Sequence, residues 1–118
     1  MNYRAIRDGI PAAAVKSLVR NGTLTEAELY RIIPERTFKR RLQQKAKLKI
    51  DEADAIARLL RVTEEAERSF GGADFARKWL RLPNPALGGE VPIELARTDA
   101  GAREVEAVMS SFAFGDHL

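Results

Sequence analysis

Trp79-Leu-Arg-Leu-Pro-Asn-Pro-Ala-Leu-Gly-Gly-Glu-Val-Pro-Ile-Glu-Leu-Ala-Arg-Thr-Asp-Ala-Gly101 carries three prolines and three glycines at fixed offsets between short helical pieces. Pro83 and Pro85 bracket Asn84, which therefore cannot sit inside a helix. Gly88-Gly89 permits positive φ or a close backbone approach, and Asn84 is expected to bond local backbone groups. The stretch reads as a defined turn system between helices and not as a spacer.

Outward from it, the chain reads as helical throughout, because no run of Val, Ile or Thr alternates with polar residues long enough for a strand. A first helix is expected from about Pro11 to Arg20, closed by Asn21-Gly22. Thr25 and Glu28 have the spacing of a capping box and start a second helix whose apolar residues are Leu29, Ile32 and Ile33. Pro34 ends it and sits just before a third, running from about Glu35 to Gln44. Two short helices joined this tightly form a helix-turn-helix, whose second helix enters the major groove of DNA.

In that third helix Phe38 and Leu42 are expected to face the core. The opposite side of a 100° wheel carries Arg36, Arg40, Gln43 and Lys47, flanked by Thr37, Lys39 and Gln44, with no acid on that face. Arg, Gln and Thr are the residue types that hydrogen-bond base edges and phosphates. Ordinary solvation of an exposed helix is the competing account. It normally mixes charge signs at four-residue spacing, whereas Arg36 and Arg40 repel.

Asp51 is expected to cap a longer helix reaching Phe70, with Ile56, Leu59, Leu60, Thr63, Ala66 and Phe70 along one side and Gly71-Gly72 closing it. That stripe is either core-facing or a heptad seam for dimerisation. A helix from Asp74 to about Arg81 should turn Phe75, Trp79 and Leu82 inward, Trp79 serving as core anchor or as interface residue. Thr98 caps a last helix with Val105, Val108, Met109 and Phe112 on its apolar face.

The 118 residues, 45% apolar, make one compact domain or two small ones sharing a core. The net charge is +3, but residues 35–49 alone hold seven bases and one acid, while residues 50–118 hold eight and thirteen. A basic block before an acidic C-terminal part points to two surfaces with two kinds of partner. The absence of cysteine excludes disulfides and thiolate metal sites and makes a reducing cytoplasm the default. Arg4, Arg7 and Asp8 ahead of a short apolar run broken by Pro11 do not read as a secretory signal, and no apolar run has bilayer length.

Catalytic chemistry has little to draw on. The single histidine, His117, stands one residue from the end, Ser110 and Ser111 lack a paired base, and Glu64, Glu65 and Glu67 read as a solvated face rather than a metal cage. Neither glycine pair is followed by Lys-Ser or Lys-Thr, so no phosphate loop of the known kind is present. No catalytic residue, metal or cofactor is expected.

In Trp79, Leu80, Pro83, Asn84, Leu87, Gly88, Gly89, Pro92, Leu95, Thr98 and Gly101 the sequence resembles the toxin-binding domain of the Xre/MbcA/ParS family of bacterial antitoxins. Arg36-Thr37 and Arg40-Arg41 match places in the family's helix-turn-helix. The resemblance implies an all-α fold: a helix-turn-helix bundle with connecting helix over residues 1–70, then a small, turn-rich toxin-binding domain over residues 71–118. It implies a non-enzymatic cytoplasmic antitoxin that represses its own operon and neutralises a partner toxin. The family's toxins have an Arg-Glu-Ser-type fold and degrade NAD or transfer its ADP-ribose. A homodimer, and a C-terminal segment lying over the toxin's cleft, are implied with it.

Phe112, Phe114, Gly115, Asp116, His117 and Leu118 fit that last expectation, offering two aromatics, an acid and a free carboxylate to a basic cleft. The plainer account has Phe112 and Phe114 covering the Trp79 core. A stand-alone dimeric repressor is the alternative for the whole chain. An RNA-binding protein fits less well, because no aromatic residue interrupts the basic face for base stacking.

Overall fold

Thr25 and Glu28 form the capping box that their spacing predicts. Thr25 Oγ1 accepts from the Glu28 amide at 3.1 Å and Glu28 Oε1 accepts from the Thr25 amide at 3.0 Å, an arrangement worth about 1 kcal/mol. The computed structural model containing them describes residues 9–113. Its described part is all-α, with α1 (Ala12–Arg20), α2 (Glu26–Ile32), α3 (Glu35–Gln43), α4 (Ile50–Phe70), α5 (Ala73–Leu80), α6 (Pro92–Leu95) and α7 (Asp99–Ala113). One 3₁₀ turn spans Pro85–Leu87. The chain divides into two compact units between Ala57 and Arg58.

In the first unit Ile33 and Pro34 are both extended, at φ −129°, ψ 115° and φ −51°, ψ 142°. Two residues thus turn the chain from α2 into α3, as Pro34 demands. Helix α3 ends through Lys45 in the left-handed region at φ 53°, with the Ala46 amide donating to the Arg41 carbonyl at 2.9 Å, a Schellman closure without glycine. The Ala12 amide donates to the Ala46 carbonyl and the Leu48 amide to the Ile10 carbonyl, so the segments before α1 and after α3 pair antiparallel around a bridge between Pro11 and Lys47. Ile10, Val15, Leu29, Ile33 and Phe38 are buried within this unit.

Helix α4 starts at Ile50, one residue ahead of the expected Asp51 cap. The Glu52 carboxylate accepts from the Lys49 amide at 2.8 Å, so Glu52 and not Asp51 satisfies the first turn. The helix closes on Gly71 at φ 72°, with the Gly72 amide on the Glu67 carbonyl at 3.1 Å. Ile56, Leu59, Leu60, Thr63 and Ala66 are buried within the chain, which makes the stripe core-facing. Buried Thr63 satisfies its hydroxyl on the Leu59 carbonyl at 2.8 Å.

The second unit is organised by the turn system. Asn84 Oδ1 accepts from the Ala86 amide at 2.9 Å, its own amide donates to the Glu90 carbonyl at 3.0 Å, and its carbonyl accepts from Leu87 and Gly89. Gly88 and Gly89 stand at φ 65° and 84°, conformations that strain any other residue. The close approach lies elsewhere. Thr98 Oγ1 accepts from the Gly101 amide at 3.0 Å, as a capping threonine should, and a methyl group on Gly101 would overlap the Leu95 carbonyl.

Helix α5 is rotated from the expected orientation. Ala76 and Leu80 are buried, whereas Phe75 and Leu82 are 59% and 60% exposed. In α7, Ala102, Val105 and Met109 are buried, and Phe112 is 45% exposed. Gly89→Ala is expected to cost about 1–2 kcal/mol, because only backbone conformation opposes it. Gly101→Ala should cost about 3 kcal/mol by forcing α6 and α7 apart. Urea unfolding of both variants checks the order, and wild-type stability in Gly101→Ala would contradict the approach described.

Candidate functional site

The basic face rests on how α3 is held. Phe38 is buried beside Tyr30, their rings edge-on with centroids 6.4 Å apart. Leu42, expected beside it in the core, is only half-buried. The second inward side chain is Arg41, 7% exposed, whose guanidinium pairs with the Glu52 carboxylate of α4. Arg41 is therefore structural, while Arg40 beside it faces solvent. The reason is positional: Arg41 lies 60° from Phe38 on the wheel, within the buried arc.

With Phe38 and Arg41 turned in, Arg36, Arg40 and Gln43 turn out and are exposed. Arg36 and Arg40 make no ion pair with any described residue. Thr37 is half-buried at their edge. The flank of this face is not acid-free: Lys39 Nζ pairs with Glu35 at 2.7 Å, a hydrogen bond that raises the lysine above its ordinary pKa. Gln44 is the closing residue of α3, its amide on the Arg40 carbonyl at 3.0 Å. Lys47 lies beyond the helix, exposed, in the antiparallel pairing with Pro11. The helical wheel thus unites Arg36, Arg40 and Gln43 but loses Lys47, because the chain leaves the helix after Gln43.

On the second unit the exposed feature is aromatic. Phe70 is the hub, with ring centroids 5.3 Å from Phe75, 4.9 Å from Trp79 and 5.7 Å from Phe112. Trp79 is half-buried, one side on Phe70. Asn84, also half-buried, spends its side-chain oxygen within the turn. Phe114, Gly115, Asp116, His117 and Leu118 lie outside the described residues. Arg58 donates to the Arg97 carbonyl at 2.9 Å, tying α4 to the residues just after α6.

Sequence reasoning also missed a carboxylate pair. Arg61 holds Glu106 at 3.1 Å through Nε, and Glu65, one turn further along α4, hydrogen-bonds the same Glu106. Burial, then that hydrogen bond and the like charge, push Glu65 up to about 7, against the lowering pull of Arg61 and Arg68. Carboxylates on separate helices announce no such pairing in sequence.

Two measurements test these interactions. Glu52→Gln should destabilise the protein by about 3–5 kcal/mol, leaving Arg41 buried without its anion. Glu35→Ala, which breaks the exposed Lys39 pair, should leave the urea midpoint nearly unchanged. Glu65 is raised above its unfolded carboxylate value, so the folded chain holds that proton more tightly. Its stability contribution is complete below pH 4.5 and is lost as pH rises to about 7. Glu65→Gln should therefore raise the melting temperature at pH 8 and leave it nearly unchanged at pH 5. Equal gains at both values would contradict the shared proton.

Residues 1–61 match the model of the antitoxin Xre-like helix-turn-helix domain. Residues 65–115 match that of the antitoxin Xre/MbcA/ParS C-terminal toxin-binding domain. Among curated proteins, Antitoxin Xre of Pseudomonas putida is 36% identical over 113 residues, 96% of this chain and 71% of its own length. Antitoxin Xre of Photorhabdus laumondii is 30% identical, over 93% of this chain and 76% of its own length. Antitoxin Xre of Yersinia enterocolitica is 32% identical, over 86% and 70%.

Proposed function

The chain belongs to the Xre antitoxin family, with its helix-turn-helix and toxin-binding domains, and on that premise we propose that it represses its own operon and neutralises a partner toxin in the cytoplasm. The observation that carries the DNA half is the outward placement of Arg36, Arg40 and Gln43 on α3, after a two-residue turn. Guanidinium and carboxamide groups there suit base edges, with Thr37, Lys39, Gln44 and Lys47 as phosphate contacts around them. Binding as a homodimer would place two such helices on a two-fold operator.

The toxin half rests on the acidic, turn-built second unit, which phosphate would repel. Asn84 shapes that surface, and Phe112 with residues 114–118 supplies aromatic and acidic contacts. The partner we propose consumes NAD, by degrading it or transferring its ADP-ribose. Its nucleotide-binding basic groups would meet Asp116. A stand-alone repressor would lack this second activity.

Arg36→Ala and Arg40→Ala should each weaken operator binding by about 1–3 kcal/mol where a base contact is lost. The double variant should still protect cells from the toxin. Deleting residues 113–118 should do the reverse, leaving operator affinity intact while weakening inhibition of NAD loss about tenfold, or 1.4 kcal/mol. Fluorescence anisotropy on the upstream region and an NAD assay with co-purified toxin read the two arms. Unchanged anisotropy in the double variant rejects the α3 face. Full inhibition by the truncated chain at equal stoichiometry rejects the tail.

A further inference from the structure

Helices α1, α2 and α3 leave a cavity of about 280 Å³ between them, on the side of α3 away from Arg36 and Arg40. Its floor is apolar and otherwise buried: Leu29 and Phe38 are 1% and 2% exposed. Half-buried Val19 and Leu42 stand at its sides. The cavity opens to solvent past exposed Lys16, Arg20, Glu26 and Lys39, so its apolar floor can be reached from outside.

The rim supplies the sign of charge. Lys39 is engaged by Glu35 at 2.7 Å, while Glu26 accepts from the Tyr30 hydroxyl at 3.4 Å and keeps its negative charge. Lys16 and Arg20 also border the cavity. Four residues apart on α1, they share one face, and neither pairs with any described acid. The charge left over at the mouth is positive.

We propose that this cavity binds a small organic anion with an apolar body, its carboxylate held by Lys16 and Arg20 and its chain or ring laid on Leu29 and Phe38. The volume is close to the lower end of small-molecule pockets, about 300 Å³, which selects a single ring or a medium-length chain. Leu42 and Lys39 put the ligand in contact with α3, so the site joins the inner side of the same helix whose outer face is the candidate DNA reader. It is independent of the toxin and operator readings, and its test uses neither.

Octanoate and its neutral counterpart octanol are the probes, titrated into the full chain with methyl and amide NMR detection. Octanoate should shift the Val19, Leu29 and Leu42 methyl signals together and saturate near about 1 mM. Octanol should bind the same methyls more weakly. Lys16→Ala/Arg20→Ala, which alters two exposed side chains, should weaken octanoate about tenfold and leave octanol unchanged. Leu42→Trp, filling the cavity in a chain still helical by circular dichroism, should abolish both. Absence of saturation below about 10 mM, equal affinity for the two probes, or methyl shifts that survive Leu42→Trp would each overturn the proposal.

Discussion

The buried contact between Arg41 and Glu52 is the constraint on which the geometry of the first unit depends. Removing both groups from water costs several kcal/mol per ion, and only a well-placed partner recovers it. Glu52 answers two demands at once. Its carboxylate receives Arg41 from α3 and the Lys49 amide at the start of α4. The start of α4 and the rotation of α3 are thereby set by one side chain. Once Arg41 and Phe38 occupy the inner arc, a helix of 3.6 residues per turn must present Arg36, Arg40 and Gln43 to solvent. The candidate reading face is a consequence of what is buried behind it.

The second unit reaches definition by other means. Asn84 gathers hydrogen bonds through its amide, its carbonyl and its side-chain oxygen, so a loop that buries little beyond Leu87 is still held by paired backbone groups. Gly101 lets the α7 backbone meet the Leu95 carbonyl, and Arg58 supplies a donor to the Arg97 carbonyl just past α6. What this frame presents outward is the ring cluster around Phe70. Exposed aromatic area of this kind is stable on a monomer only as a local patch, and such patches are characteristic of protein interfaces.

Local signals were legible and non-local ones were not. Thr25 with Glu28, Pro34, Gly71, Gly88 and Thr98 each act within a few residues, so composition and spacing reveal them. The helices came out nearly as read, and the matched families agree with the resemblance carried by residues 79–101. The burial of Arg41 had no local sign, because a basic residue in a basic block looks solvated and its partner lies eleven positions away on another helix. Phe75 and Leu82 were misplaced because spacing gives a face but not its direction. In α5 the small Ala76 and the Leu80 side chain fill the space beneath, and the larger ring is left outside. The pairing of residues 10–12 with 46–48 has no periodic signature at all.

The two units also respond to different conditions, and that separation follows from where their charges sit. Arg36 and Arg40 stand in water, where salt screens them within about 8 Å at physiological ionic strength. Arg41 and Glu52 are enclosed and feel little of it. Salt can therefore weaken the field of that face while the helix that carries it stays in place. Acidity acts on the other unit. Glu65 and Glu106 join α4 to α7 with a shared proton, and deprotonation sets two like charges against each other there. The first unit exposes Arg36 and Arg40 to salt, whereas the second holds half-buried Glu65 against Glu106, where a proton decides whether the two carboxylates repel.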